Sequence, residues 1–414
     1  MKKNLKLLAG IFFLCAPLGA SLWGADFGII LDGSAAYGDS ESDIVFSDKE
    51  GTSEYSAALI PWFSALAGDT GGVYISASAR ADRKSDTLTL VPELLRTEFS
   101  WGFGSGEFTL GRMQYADPLG IIAAGLFDGI NVSIDAGGGS VSVGGWYTGY
   151  LYKERANITM TQTEVELYNT ALDYKDLNNT YFAPRRVVAA LRWEHQNLAE
   201  LMRLQFALVG QFDLAEKDKL NSQYAALKLS IPVDSLVIDM GGCLEAMEDE
   251  KDADNDYKFA LAGELGIAWM FPSSRFSLSG RYSSGVPEDK DSKMTAFLPL
   301  TTVDQGNILK AKLSGISVIS VDYLSRVHRT LSAGIAASCF LRNDLGTYNA
   351  YPVTFDADDG YVLGTELFAR FLWSPVSDVQ MNLGGGGFLP AMGNTNRNAP
   401  ILWHVELNLV LALY

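Results

Sequence analysis

Long stretches of this sequence alternate between apolar and polar residues at every second position. Within residues 202–214, Phe206 belongs to the apolar phase and Gln205 to the polar phase, and residues 257–271 follow the same pattern. A period of two indicates a strand with one apolar face and one polar face. These stretches run to about 13–15 residues, whereas globular strands average about 5–6 and a tilted strand crosses a bilayer in about 9–11. The pattern predicts a transmembrane β-barrel.

Alternation and turn residues together predict an all-β chain, folded as an antiparallel up-and-down barrel of about 18 strands, with 16 as the alternative. The predicted strands lie near 27–37, 54–67, 72–82, 88–101, 106–114, 128–136, 140–150, 186–196, 202–214, 221–232, 235–248, 257–270, 275–284, 308–324, 330–341, 360–373, 377–386 and 400–414. They make residues 26–414 a single barrel domain.

The connections between these strands alternate in length. Short turns such as 68–71 and 272–274 follow most even-numbered strands, whereas the longer polar segments follow several odd-numbered ones. The longer segments lie near 38–53, 151–185, 285–307 and 342–359. Outer-membrane barrels have short periplasmic turns and long extracellular loops. The alternation therefore predicts that the short turns face the periplasm and that the longer segments face the outside of the cell.

Aromatic residues in the outward phase separate by strand end. Four tryptophans precede the short turns and four tyrosines lie at the opposite ends: Trp101, Trp193, Trp269, Trp373, and Tyr147, Tyr257, Tyr282, Tyr361. Two belts of amphipathic rings at two heights are typical of a protein that spans a bilayer.

The first 25 residues have the composition of a secretory signal peptide. Three lysines precede the apolar run 7–18, and small residues follow it. The apolar run is too short for a membrane-spanning helix. We expect cleavage between residues 20 and 25, which leaves Cys243 and Cys339 in the mature chain, four predicted strands apart and therefore unpaired.

Charge and residue types argue against several function classes. A net charge of −17 disfavours nucleic-acid binding. None of the three histidines (His195, His328, His404) is accompanied by a nucleophile motif, and no phosphate-binding or metal-ligand pattern occurs. We therefore predict no enzymatic activity, no cofactor and no metal site. The acidic runs between strands are expected to be solvated loops, with divalent-cation or host binding as an open alternative.

Charged residues in the inward phase are the candidate lumen-lining groups. Those singled out are Arg80, Arg96, Arg192, Arg203, Lys258, Glu264, Glu366 and Arg370. Charges are tolerated there because that face meets water rather than lipid. They are expected either to pair with one another and support the wall or to set solute selectivity.

Residues 109–120 and 125–129 resemble the strand–loop–strand segment of porin-like families, in which a strand ends in Gly-Arg, the loop folds inward and the next strand opens with Asp-Gly. The resemblance implies that residues 112–127 form a pore constriction, with Arg112, Asp117 and Asp128 near it. An ordinary extracellular loop is the alternative. The segment 401–414 likewise resembles the last strand of bacterial outer-membrane barrels, which implies recognition by the barrel-assembly machinery.

The expected function is an outer-membrane porin that admits small polar solutes by passive diffusion. A barrel of about 18 strands is too wide for side chains alone to fill, so inward loops must narrow it. The alternatives are a fatty-acid transporter of the kind spirochaetes and proteobacteria carry, and a structural or adhesive surface barrel. We expect a bacterial source, with a spirochaete as one option, and partners limited to outer-membrane lipid, the assembly machinery and solutes. Whether the barrel forms homo-oligomers stays open.

Overall fold

The computed structural model describes residues 24–38, 52–84, 87–248, 257–289, 292–344, 348–350, 353–355, 360–390 and 401–414. All but two residues of the predicted signal segment lie outside these ranges, as do most of the loop predicted at 38–53 and half of the loop predicted at 342–359.

Eighteen long strands form the wall of a barrel. They are β1 (Asp26–Gly38), β2 (Thr52–Ala67), β3 (Gly71–Lys84), β4 (Thr87–Phe103), β5 (Gly106–Ala116), β6 (Ala124–Ala136), β7 (Gly139–Tyr147), β8 (Arg186–Leu198), β9 (Met202–Asp213), β10 (Ser222–Val233), β11 (Leu236–Glu248), β12 (Tyr257–Met270), β13 (Ser274–Ser283), β16 (Ile316–His328), β17 (Leu331–Arg342), β20 (Val362–Val376), β21 (Val379–Pro390) and β22 (Leu402–Leu413). Two short hairpins lie in loops: β14 (Asp304–Gln305) with β15 (Ala311–Lys312), and β18 (Tyr348–Ala350) with β19 (Val353–Phe355).

Each wall strand pairs antiparallel with the strands before and after it. The ring closes because β1 also pairs with β22, in a register that places Ile29 opposite Leu413 and Gly38 opposite His404. The expected closed barrel of 18 strands is confirmed. Closure leaves no edge strand exposed, and an open edge in lipid would leave backbone groups without hydrogen bonds.

The outward phase of the wall is apolar along its whole circumference. Outward side chains such as Leu208, Leu227 and Leu265 are exposed, as a surface covered by lipid acyl chains requires. The predicted aromatic belts occupy this face, since Trp101, Trp269 and Trp373 are exposed just before short turns, and Tyr257, Tyr282 and Tyr361 are exposed at the other rim. Among the described residues, no helix is both long and apolar enough to cross a membrane.

The apolar core of the molecule lies inside the barrel rather than between layers. Its fully buried members come mainly from connections and from inward wall positions: Ile121, Ile122, Phe297, Leu300, Leu309, Phe340 and Phe388. Three connections supply this core, and we call them loop 3 (residues 117–123), loop 4 (residues 148–185) and loop 7 (residues 284–315). Loop 4 contains three short helices, α1 (Lys153–Ala156), α2 (Gln162–Tyr168) and α3 (Leu177–Thr180).

Several predicted strand boundaries differ from the observed ones by three residues or more, and two of them lie where a loop occupies the lumen in place of a wall strand. The predicted strand at 308–324 is instead β16, which begins at Ile316, because residues 304–312 form a hairpin inside the barrel. The strand predicted at 140–150 ends at Tyr147, where loop 4 begins. Cys243 and Cys339 are free, four strands apart.

Candidate functional site

The lumen is crossed by the outer end of the β5–β6 hairpin. Pairing between β4 and β5 stops at Thr97–Arg112, and pairing between β6 and β7 stops at Asp128–Tyr147. Pairing between β5 and β6 continues to Ala116 and Ala124. The outer ends of these two strands therefore leave the wall as a hairpin, and loop 3 forms the tip.

Contacts of loop 3 show where the hairpin goes. Ile122 accepts a hydrogen bond from the Thr301 backbone N–H at 3.1 Å, and Thr301 Oγ1 accepts one from Ala124 N–H at 2.8 Å. Leu119 lies so close to Gly241 of β11 that a Cβ on that glycine would overlap its Cδ2 atom. The tip therefore reaches wall strand β11, five strands from β6, and is joined to loop 7 on the way.

Asp117 fixes the shape of loop 3. One carboxylate oxygen accepts hydrogen bonds from the N–H groups of Leu119 (2.9 Å) and Gly120 (3.0 Å). The other accepts from Ile122 and Ala123, both at 2.9 Å. Burial raises the pKa of Asp117, while these four bonds favour its charged form. The carboxylate replaces water for four backbone donors that the turn would otherwise bury unpaired.

Arg112 and Asp128 lie at the point where β5 leaves the wall. Two guanidinium nitrogens of Arg112 donate to the Asp128 carboxylate at 2.9 and 2.7 Å. Nη1 donates to Leu94 O on β4 at 2.5 Å, and Nη2 donates to Tyr150 O of loop 4 at 2.9 Å. Arg112 is only 4% exposed, so its positive charge interacts with protein groups rather than with solvent. The guanidinium bridges β4, β6 and loop 4 across the opening that the departing hairpin leaves.

Loop 4 is bound both to loop 7 and to the wall. Thr159 N–H donates to Leu300 O at 2.9 Å, and Thr302 N–H donates to Asn157 O at 2.7 Å. At the wall, Glu164 of α2 accepts from Arg186 of β8 at 2.7 Å.

Two charged groups of loop 4 are buried. Burial raises the pKa of Glu164, and its Arg186 partner partly offsets that shift. Lys153 donates to the carbonyls of Tyr168 and Thr170, each at 2.6 Å, and burial lowers its pKa.

Loop 7 is held by two carboxylates of the wall. Glu366 of β20 accepts from the backbone N–H groups of Asn307 (2.7 Å), Ile308 (2.9 Å) and Leu309 (3.2 Å). Glu245 of β11 accepts from Leu298 N–H at 2.9 Å. Glu366 faces inward as its phase predicts, but at 1% exposure it lies beneath loop 7 and does not meet lumen water.

The arginines among the predicted lumen-lining residues are matched by acids. Their ion pairs are Arg80–Asp32 (3.5 Å), Arg96–Glu98 (2.5 Å), Arg192–Glu194 (2.8 Å), Arg203–Glu194 (2.7 Å) and Arg370–Asp322 (2.8 Å), while the predicted Glu264 pairs with Lys228 (2.8 Å) and Arg281 (3.5 Å). Lys258 shares the inward phase with Glu264 and is half-buried. Solvent still reaches this face, because the side chains of Arg203 and Arg370 remain 49% and 37% exposed.

A cavity of about 500 Å³ lies against the inner wall from β10 to β20. Its charged lining is balanced, with four bases and four acids: Lys228, Arg275, Arg281, Arg370, and Asp239, Glu264, Asp304, Asp322. The alternation of inward and outward residues identified Glu264 and Arg370 as lumen-lining, but their partners Arg281 and Asp322 were not singled out. Those partners also stand in the inward phase, so pairing along neighbouring strands could have found them.

Comparison with solved structures shows that this fold is that of outer-membrane porins. No protein-family model matches the sequence, and no curated protein matches it. The chain is similar to Pseudomonas aeruginosa OccK2 (TM-score 0.62, 12% identity, 95% of this chain and 98% of that one). It is also similar to a BenF-like porin from Pseudomonas fluorescens (TM-score 0.62, 10% identity, 95% and 99%) and to P. aeruginosa OpdK solved with vanillate (TM-score 0.60, 13% identity, 95% and 99%). These neighbours provide no support for a spirochaete source.

Proposed function

We propose that this chain is an integral outer-membrane porin through which small polar solutes diffuse passively, with no enzymatic step. The observation that carries the proposal is the partial exposure of inward-facing ion pairs inside a closed, lipid-facing barrel. Charged groups keep contact with solvent there only if the lumen holds water. The proposal includes removal of the signal segment and insertion by the barrel-assembly machinery.

We further propose that loops 3, 4 and 7 together set the narrowest part of the pore. Arg112, Asp117 and Asp128 are then residues that hold the constriction in place, since their charges are directed at protein groups. The solute-facing charges are the paired groups of the wall. Because each cationic side chain of these pairs has an acidic partner, the pore should discriminate weakly between small anions and cations.

Single-channel recording of the purified protein in planar bilayers tests the function. A porin gives ohmic current steps in KCl, whereas a fatty-acid transporter or an adhesive barrel gives none. Reversal potentials in a KCl gradient then measure ion preference, and a potential close to zero is expected. Folded protein that passes no current would overturn the proposal.

A further inference from the structure

The periplasmic end of the lumen carries a cluster of aromatic rings on β1–β4. Asp26, Ser64, Tyr74 and Glu98 lie directly opposite one another on four successive strands, and Gly28, Trp62, Ser76 and Arg96 form the adjacent row. All eight positions are inward, because the alternate positions, such as Phe27 and Phe99, are exposed on the lipid side. The β2–β3 turn at residues 68–70 places both rows near the periplasmic end.

The rings of Trp62 and Tyr74 lie nearly parallel to each other on this wall. Their ring centroids are 6.3 Å apart and their planes differ by 13°. Tyr414 extends the cluster, with its ring centroid 6.0 Å from that of Trp62. Gly28 allows the indole to lie against the wall, since a Cβ there would be 2.7 Å from Trp62 Nε1. We call Trp62 and Tyr74 the ring platform.

Polar groups surround Tyr74, the ring of the platform that lines a cavity. A cavity of about 450 Å³ is lined by Tyr74 together with Asp26, Ser64, Glu98 and Ser100. This volume lies within the range of about 300–1,000 Å³ that small-molecule sites occupy. The cavity thus combines an aromatic face with two carboxylates and two hydroxyls.

Arg96 binds Glu98 and packs over the ring of Tyr74. It donates to Glu98 at 2.8 and 2.5 Å, and its guanidinium carbon lies 4.7 Å from the centroid of the Tyr74 ring. The pair compensates the charge of Glu98, while each carboxylate oxygen retains a lone pair that can accept a further hydrogen bond.

We propose that the ring platform and its polar rim form a solute subsite for an uncharged, polyhydroxylated ring of monosaccharide size. The C–H face of such a ring packs on the electron-rich aromatic surface, and its hydroxyls donate to Asp26 and Glu98 and exchange hydrogen bonds with Ser64 and Ser100. An aromatic carboxylate fits less well, because Asp26 and Glu98 repel it and Arg96 is already paired. The subsite rests on the proposed porin function only insofar as its solute arrives through the pore.

Interruption of the KCl current by D-glucose tests the subsite. Glucose should interrupt the wild-type current in a concentration-dependent manner. Trp62→Leu and Tyr74→Leu should each weaken that effect about tenfold, which corresponds to about 1.4 kcal/mol, because each removes an aromatic face that packs against the sugar ring. Trp101→Leu, on the lipid face of β4, is the matched control and should leave glucose interruption unchanged. A gel shift of the unheated barrel verifies folding, and either platform variant suffices if the other fails to fold.

Equal glucose interruption in wild type and both platform variants would overturn the subsite, as would stronger interruption by benzoate than by glucose. Calorimetric titration of the detergent-solubilised barrel with glucose separates the two proposals. Conduction without Trp62-dependent glucose binding rejects the subsite and leaves the porin function intact. Glucose binding that Trp62→Leu weakens, in a barrel that passes no current, rejects the porin function and supports the subsite.

Discussion

The guanidinium of Arg112 and the carboxylate of Asp128 face each other in two parallel hydrogen bonds of 2.9 and 2.7 Å at the point where the β5–β6 hairpin leaves the barrel wall. Arg112 is buried at this point, and its guanidinium also binds carbonyl groups of β4 and loop 4. The consequences of the Arg112–Asp128 pair are therefore expected in stability and in the position of loop 3.

Arg112→Ala should lower the free energy of unfolding by about 3–5 kcal/mol, because it leaves Asp128 and two carbonyls without their buried cationic partner. Urea unfolding followed by the gel shift of the folded barrel measures the loss. Arg203→Ala is the control, since that arginine is half-exposed and its pair with Glu194 contributes less. Equal losses in the two variants would contradict the bridging role of Arg112.

Shortening loop 3 should raise the single-channel conductance. Replacement of residues 118–122 by two glycines removes the contact of Ile122 with Thr301 and that of Leu119 with Gly241, which hold the tip across the lumen. Recordings in KCl give the measurement. A folded variant with unchanged conductance would place the narrowest point at loop 4 or loop 7 instead.

Leu208→Arg should destabilise the barrel by about 2–4 kcal/mol, since Leu208 lies near the middle of β9 on the lipid face, and the cost falls to about 0–1 near an interface. Phe206 is opposite the belt residue Trp193, so Phe206→Arg should cost less. Gln205→Arg, on the lumen side and within reach of Glu194, should be tolerated. Unfolding in urea ranks the three, and any other order would contradict the assigned faces or depths.

Removing one member of the Arg370–Asp322 pair should move ion preference in a predictable direction. Arg370→Gln leaves a carboxylate on the cavity wall and should shift the reversal potential towards cation preference, whereas Asp322→Asn should shift it towards anion preference. The two variants serve as controls for each other. Shifts of the same sign would show that this pair does not face the conducting path.

The orientation of the barrel predicts which residues a reagent outside the cell reaches. Lys175→Cys in loop 4 and Ser273→Cys in the β12–β13 turn both place a thiol at an exposed position. A membrane-impermeant maleimide should label the first on intact cells and the second only after lysis. Labelling of Ser273→Cys on intact cells would reverse the topology.

The wall of this barrel is predictable from sequence, because lipid on one side and water on the other force a period of two on every strand. Together with turn residues, that constraint predicts about 18 strands, their phases and the inward placement of Arg80, Arg96 and Arg370. Glu366 shows what this alternation cannot predict. Its position in the strand correctly places it on the inward face, but nothing in the pattern reveals that loop 7 covers it.

The path of the loops depends on interactions with no sequence period. The departure of β5 from the wall depends on Gly111, whose φ of 113° suits glycine and whose Cβ would overlap Thr97 O. Asp117 is indistinguishable in sequence from a pore acid, because the four N–H groups that it binds belong to its own turn. The partners of Arg112 are not apparent from sequence for a different reason, because Leu94, Asp128 and Tyr150 lie 16 to 38 residues away on other elements.

The contacts that narrow the lumen join parts of the chain that are far apart in sequence. Ala124 binds Thr301 across 177 residues, and Asn307 binds Glu366 across 59. Contacts at such separations form late, since the chain between them must first be ordered. Both contacts need residues of the last third of the chain, so we expect the lumen to reach its final bore only in a late step of folding.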